Sequence, residues 1–368
     1  MNDPAEPLDD DGAVLLHESS PDGSVQAVVE QDDRTVYLYL HANKPGFGTR
    51  ACWVRNLVPG PATIDRSEFQ QGLAPRLPRL ACRHPQGAPP LSADSLEIVW
   101  FESGDGAALK DGDRWLAAIP PWSGEEDFHG YAADCREETE LCWPMPHEPE
   151  WFERLETARR WWSAWQNEPR WPRRQQELLE TYERQFGKHR RYFSIDGEKW
   201  PPRGLVLHGV GDEGRSTETV IALTVGVSLR PMPKVETQVE RPALHERIEL
   251  AAFASADAPE KVCEWLSSAA RFPWHFDTWL GPGHTMELPA AARGELPAAA
   301  RGELPAAARA LPATDETSSS DRSPVGLLWV DASRFPEPIG SLRLPPVDER
   351  PTTLLVAMPL NRSDLAAA

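Results

Sequence analysis

The chain has 368 residues, which is long enough for two domains that each have a hydrophobic core. Hydrophobic residues make up 40% and charged residues 26%, a balance typical of globular proteins that excludes wholesale disorder. The 57 acidic residues outnumber the 38 basic residues and give a formal net charge of −19, which argues against nucleic acid as a partner because a negative field repels a polyanion. A basic protein partner is favoured, although an acidic excess also serves simply to keep a protein in solution.

Targeting signals and cysteine usage indicate the compartment. The chain lacks a run of about eighteen apolar residues, and its N-terminal MNDPAEPLDDDG is acidic where a secretory signal is basic and then apolar. We therefore expect a cytoplasmic protein that does not engage a membrane. The cysteines are odd in number and scattered, which is typical of buried free thiols in a reducing compartment, so no disulfide is expected. They are Cys52, Cys82, Cys135, Cys142 and Cys263.

A flexible tail at residues 1–21, which has little to bury, is predicted to precede a β-rich domain at residues 22–148. Two runs rich in β-branched and aromatic residues, 24–30 and 35–41, predict a hairpin around a short polar turn. Further strands are predicted at 51–58, 96–102 and 114–119. The last two flank a Gly- and Asp-rich connector and are expected to pair as a second hairpin. The domain is thus expected to be mainly antiparallel β.

Two linking helices are predicted next, at residues 149–187. Residues 150–166 carry apolar side chains three and four apart, the pattern of an amphipathic helix. Residues 173–186 follow a proline and end at Gly187, a usual helix stop. We expect these helices to connect the two domains.

The second domain, residues 188–368, is predicted to combine a mixed sheet with a helix at 258–271. The predicted extended segments are 192–195, 205–208, 219–229, 247–253, 279–286, 325–330, 341–344 and 353–358. A tandem octapeptide, ELPAAARG twice and then ELPAAARA, begins at Glu287, and the proline in each copy opposes one long helix. Residues 287–323 are therefore expected to form a disordered loop.

Four short motifs follow one another along this second domain: TVGVS at 224–228, Pro231-Met232, RIEL at 247–250 and GHT at 283–285. Together they resemble the suppressor-of-fused family. Their order and spacing are similar to the bacterial branch of the family, best over residues 192–360. The resemblance implies a binding role without catalysis or cofactor. Animal members sequester zinc-finger transcription factors of the Hedgehog pathway, and bacterial members look like immunity proteins that neutralise secreted toxins.

Other patterns suggest chemistry, and each has a plainer interpretation. GVGDEG at 209–214 matches the phosphate-binding G-x-G-x-x-G, but no helix follows it, which favours an ordinary turn. The acidic segment 125–134 contains Glu125, Glu126, Asp127, His129 and Asp134, which could hold a divalent cation or serve a hydrolase, although such clusters usually face solvent. Cys263 lies on the apolar face of a predicted helix, where burial makes a thiol inert. We expect neither enzyme activity nor a metal.

The candidate partner-binding residues are Trp161, Trp162, Arg247, Glu249 and His284. Trp161 and Trp162 are expected to belong to the seam between the two domains. Because they are adjacent on a helix and cannot both face the same side, the alternative is that one of them remains available to a partner. Arg247 and Glu249 alternate with apolar residues along a strand and are expected to face outward. His284 is expected either to orient its loop through backbone hydrogen bonds or to contact the partner.

The sequence therefore predicts an α+β protein: an antiparallel β domain, two linking helices and a mixed suppressor-of-fused-like domain. Its predicted function is that of an immunity or antitoxin protein that covers a basic toxin with an acidic surface. The alternatives are a hydrolase or other enzyme that uses segment 125–134, and a structural assembly subunit. The identity of the partner and the oligomeric state stay open.

Overall fold

The computed structural model describes residues 12–167, 170–197, 201–210, 219–287 and 326–360. The chain divides into two compact units, Met1–Glu168 and Pro169–Ala368. Except for Glu287, the predicted loop at 287–323 lies outside the described residues, and so does most of the G-x-G-x-x-G stretch.

The first sheet of the first unit is antiparallel, with the strand order β1-β2-β3-β4. Its strands are β1 (Ala13–Ser19), β2 (Gln26–Gln31), β3 (Thr35–His41) and β4 (Thr49–Asn56). The predicted hairpin is confirmed, since β2 and β3 pair with Glu30 opposite Tyr37 and Val28 opposite Tyr39. The prediction of a tail at residues 1–21 is wrong at β1, which pairs with β2. Most side chains of β1 are exposed, so backbone hydrogen bonds hold it to β2 and composition gives no sign of it.

The second sheet of this unit has the order β5-β6-β7-β8-β9. Its strands are β5 (Leu96–Trp100), β6 (Ala107–Asp111), β7 (Arg114–Ile119), β8 (Tyr131–Ala132) and β9 (Trp143–Pro144). The predicted pairing of β5 with β7 is wrong, because β6 lies between them and pairs with both. The Gly- and Asp-rich connector thus contains two turns and a strand rather than one loop.

Helices complete the first unit: α1 (Arg66–Gln70) and α2 (Pro149–Asn167). The prediction of a helix at 150–166 is confirmed by α2. Trp151 and Leu155 on α2 pack with Phe101 in an apolar cluster against the second sheet. The inner face of the first sheet buries alternate residues such as Val29, Leu38 and Cys52, as period-two patterning requires.

The second unit contains a mixed sheet with the order β10-β11-β12-β13-β16-β15-β14. Its strands are β10 (Arg191–Ser194), β11 (Gly204–Gly209), β12 (Thr219–Val225), β13 (Ile248–Ser255), β14 (Thr285–Glu287), β15 (Gly326–Asp331) and β16 (Thr353–Leu360). The neighbours β13 and β16 are parallel and the other pairings are antiparallel. Its helices are α3 (Arg170–Phe186), α4 (Val235–Gln238), α5 (Glu260–Ala269) and α6 (Phe272–His275).

Both faces of this sheet are covered, which explains the uncharged run of β12. Ile221 and Leu223 lie in the cluster that includes Tyr182 of α3, whereas Val220 and Ala222 lie in the cluster that includes Trp265 of α5. Alternate side chains of one strand thus enter two separate cores, so a polar residue has no solvent to face on either side.

Three predicted strands differ from the structure. The strand at 219–229 ends at Val225, because Gly226 has a left-handed backbone (φ 98°) and a short 3-10 helix follows at Val227–Leu229. The strand at 279–286 is reduced to β14, since two glycines and a proline precede it. Segment 341–344 is not a strand; it runs into Pro345-Pro346, which have no N–H to donate to a ladder.

Candidate functional site

A groove of about 540 Å³ opens on the outer face of the first sheet, within the first unit. Tyr37 and Tyr39 of β3, Glu30 of β2 and Val14 of β1 line it on the sheet side. Segment 72–74 faces them from the long connection between β4 and β5, and the turn residues 31–35 close one end. We call this site the tyrosine groove.

An aromatic row forms part of the groove because alternate residues of a strand share one face. The rings of Tyr37 and Tyr39 are nearly parallel with centroids 5.6 Å apart, and the ring of His41 lies 5.9 Å beyond that of Tyr39. Tyr37 is buried and its hydroxyl donates to the carbonyl oxygen of Pro75 at 2.6 Å. Tyr39 is only partly buried, so part of its ring faces the groove.

Carboxylates surround this row. Glu30 lies opposite Tyr37, and its carboxylate makes no hydrogen bond or ion pair with any residue that the structure describes. Asp33 is almost fully exposed at the tip of the turn, and Asp32 accepts hydrogen bonds from the backbone N–H of Arg34 and Thr35. Burial, together with the nearby charges of Glu30 and Asp32, raises the pKa of Tyr39 to about 12. The ring of Tyr39 therefore lies in a negative potential.

An ion-pair cluster around the buried carboxylate of Glu68 fixes the opposite wall. Glu68 on α1 is buried and accepts hydrogen bonds from Arg34 Nη1 (2.9 Å) and from Arg76 Nη2 (2.8 Å). Arg34 also donates to the carbonyl oxygen of Ala74 at 3.0 Å, which ties the wall to the β2–β3 turn. The groove and this cluster contain four carboxylates (Glu30, Asp32, Asp33, Glu68) against two guanidiniums (Arg34, Arg76), which leaves a net charge of −2.

Two of the family-like motifs of the second unit, TVGVS and RIEL, meet at a different place, around Glu249. Its carboxylate is fully buried and accepts hydrogen bonds from the Thr224 hydroxyl (2.6 Å), the Ser228 hydroxyl (2.7 Å) and the backbone N–H of Gly226 (2.9 Å), Val227 (3.4 Å) and Ser228 (3.1 Å). Successive backbone N–H groups of this kind make a nest for an anion. Burial raises the pKa of Glu249, and the hydrogen bonds from Thr224 and Ser228 oppose the rise.

Arginines complete this buried network. Arg247 donates to the carbonyl oxygens of Ser228 (3.0 Å) and Leu229 (2.6 Å), and Arg174 on α3 donates to the Ser228 hydroxyl (3.0 Å). The prediction that Arg247 and Glu249 face outward is wrong, because both are fully buried. The sheet is covered on both faces here, so β13 has no solvent side. In this structure neither side chain is accessible to a partner.

The predicted tryptophans are also buried. Trp161 and Trp162 of α2 are 3% and 6% exposed, so the alternative that one of them stays available is wrong. Their rings pack edge to face with centroids 4.6 Å apart, and the indole N–H of Trp162 donates to the carbonyl oxygen of Phe101. A helix can bury two adjacent large side chains when its apolar stripe is wide.

His284 lies in the turn before β14. Its ring packs against Trp279 with centroids 4.3 Å apart, its backbone N–H donates to the carbonyl oxygen of Gly281, and its carbonyl oxygen accepts from the N–H of Trp329. These contacts hold the loop. A contact between His284 and a partner stays a prediction.

In the acidic segment 125–134, Asp134 is buried, and its carboxylate pairs with Arg114 (2.7 Å) and Arg55 (3.4 Å). Among the described residues, no group of three or more His, Cys, Asp or Glu is arranged to hold a metal ion. All five cysteines are free thiols, and burial raises the pKa of Cys263 to about 11.

Sequence reasoning missed the tyrosine groove, although one signal was available. The alternation Tyr37-Leu38-Tyr39-Leu40-His41 places three rings on one face, next to the acidic turn that contains Asp32 and Asp33. What closes the groove is segment 72–74, whose position depends on the ion pairs of Glu68, and no local pattern gives such distant contacts.

Comparison with known proteins gives one match. Residues 201–331 match the family model described as suppressor of fused protein, which confirms the resemblance seen in the motifs. The match lies in the second unit and includes Glu249, Arg247 and the residues 224–228 that surround the carboxylate, but not Arg174. The tyrosine groove lies outside the match. No curated protein and no solved structure matches the chain. Within the described residues, no helix is long and apolar enough to cross a membrane.

Proposed function

We propose that this chain, which carries a suppressor-of-fused domain at residues 201–331, is an immunity or antitoxin protein that binds and neutralises a basic protein toxin without catalysis. The observation that carries the proposal is the family match, because a suppressor-of-fused domain is a protein-interaction module rather than a catalytic one. The neutralising role rests on the similarity of the motifs to the bacterial branch of that family.

Charge supports a basic partner. A net charge of −19 on 368 residues attracts a cationic protein at long range and speeds its encounter with the acidic surface. Because Arg247 and Glu249 are buried, we assign these motif residues to the stability of the domain and expect other residues to form the binding surface.

The test is a neutralisation assay with basic protein toxins of the organism that carries this chain. Co-expression of the chain is expected to restore the growth of cells that produce the toxin, and the purified proteins are expected to form a complex that weakens as salt increases. Growth that is not restored, with no complex at low salt, would contradict the proposal. Turnover of the toxin or of a metabolite by the purified chain would contradict its non-catalytic part.

A further inference from the structure

We propose that the tyrosine groove is a subsite for an arginine side chain from an extended basic segment of a protein partner. The guanidinium would pair with the carboxylate of Glu30 and lie against the part of the Tyr39 ring that faces the groove. This inference rests on the proposed function, since it names the chemistry by which a basic partner is recognised, and it places that contact in the first unit, outside the family match.

The two groups lie on the same face of the sheet. Glu30 and Tyr39 are diagonal neighbours on the paired strands β2 and β3, a separation that long side chains span. A guanidinium can contact the π-system of a tyrosine and at the same time donate two parallel hydrogen bonds to a carboxylate. Glu30 is available for this because it has no hydrogen bond or ion pair within the described part of the chain.

The arginine that already lines the groove does not itself pair with Glu30. Arg34 donates to Glu68, Asp32 and the carbonyl oxygen of Ala74, so its guanidinium is held in the wall. The net charge of −2 at the groove therefore selects a cationic occupant, and the aromatic row selects a planar one over a compact ammonium. Val14 and Leu73 are both partly exposed at the groove and offer apolar contact to the methylene stem of such a side chain.

The groove is also built before any partner arrives. The Arg34–Glu68–Arg76 cluster fixes the wall, and the hydroxyl of Tyr37 is tied to Pro75 below it. A preformed site loses less conformational entropy on binding, which favours recognition of a flexible segment.

The experiment measures fluorescence anisotropy with a labelled peptide of alternating serine and arginine, beside the same peptide with citrulline in place of arginine. Citrulline has nearly the shape of arginine but no charge. The arginine peptide is expected to bind about tenfold more tightly than the citrulline peptide. Glu30→Gln is expected to weaken the arginine peptide about tenfold and Tyr39→Ala about fivefold, whereas Tyr39→Phe, which keeps the ring, stays within about twofold.

Asp113→Asn is the matched control, because Asp113 is an exposed acid in the β6–β7 turn of the same unit. If the peptide is attracted to the acidic protein only non-specifically, Asp113→Asn and Glu30→Gln will weaken its binding by the same factor. That result would overturn the inference. Equal binding of the citrulline peptide would also overturn it. Thermal unfolding of each variant shows that it is folded, and Tyr39→Phe with Glu30→Gln keeps the test decisive if Tyr39→Ala does not fold.

The inference and the proposed function fail in different ways. If the chain neutralises its toxin and Glu30→Gln leaves both toxin and peptide binding unchanged, the arginine subsite is wrong and the function stands. If the peptide behaves as expected and no toxin is bound, the subsite stands and the neutralising role is wrong.

Discussion

Glu249 offers the sharpest test of how the second unit is held together. Replacing it with alanine removes the acceptor of five hydrogen bonds in a site that no solvent reaches. The Thr224 and Ser228 hydroxyls can rotate to other acceptors, but the N–H groups of Gly226, Val227 and Ser228 point into the nest and would lose their partner.

The size of the effect follows from these contacts. Three buried N–H groups without an acceptor cost about 1 kcal/mol each at the least. Arg174 keeps Glu177 at 3.8 Å but loses the favourable charge of Glu249, so Glu249→Ala is expected to lower the free energy of unfolding by about 3–5 kcal/mol. Glu249→Gln keeps one acceptor oxygen but presents an N–H₂ group to donors, and a loss of about 2 kcal/mol is expected.

Urea unfolding measures the free energy, and hydrogen exchange localises the change. The protection of amides in β12 and in the turn at 226–228 is expected to fall more than that in β2 and β3. Glu264→Ala, an exposed position on α5 in the same unit, is the control and should stay within about 0.5 kcal/mol of the wild type. A loss below about 1 kcal/mol for Glu249→Ala, or unchanged protection at 226–228, would refute the reasoning.

Three further predictions concern other positions. Gly226→Ala should lower the free energy of unfolding by more than about 2 kcal/mol, because the added Cβ would lie 2.6 Å from the Trp171 ring in a left-handed backbone. Gly283→Ala, in an equally left-handed but open position, should lower it by about 1 kcal/mol. Equal urea midpoints for the two variants would contradict this. Burial lowers the pKa of His208 below 6.5, so the unfolded chain binds more protons than the folded chain at mildly acidic pH. The free energy of unfolding should therefore fall as pH drops through about 6.5, and it should fall less steeply in His208→Gln. Parallel curves of stability against pH for the two proteins would rule this out. Glu68→Ala should increase hydrogen exchange at residues 66–77 and weaken binding of the arginine peptide, because the groove wall loses its ion pairs. Unchanged exchange at these residues would show that the Arg34–Glu68–Arg76 cluster does not fix the wall.

Local patterns predicted the elements whose signal lies within them. The helical spacing around Trp151 and Leu155 gave α2, and the uncharged run at Val220–Val225 gave a strand covered on both faces. The strand β1 was missed because its side chains stay exposed, so its stability comes from backbone pairing, which leaves no mark on composition.

The site was harder to predict than the fold because burial is a tertiary property. Arg247 and Glu249 alternate with apolar residues as on a half-exposed strand, yet a network of distant hydrogen bonds with Ser228 and Arg174 allows both charges to be buried. The same limit applies to the tyrosine groove: the row of rings is visible in the sequence, whereas the wall depends on a contact between Arg34 and Glu68, 34 residues apart.

The most direct test is the dissociation constant for a basic protein toxin of the same organism, measured by calorimetry for the wild type and for Glu30→Gln. The account predicts binding by the wild type that weakens with increasing salt and a loss of about tenfold on Glu30→Gln, with Asp113→Asn close to the wild type. The absence of binding by the wild-type chain, or binding that is insensitive to both salt and Glu30, would contradict the claim that an acidic groove holds a basic partner.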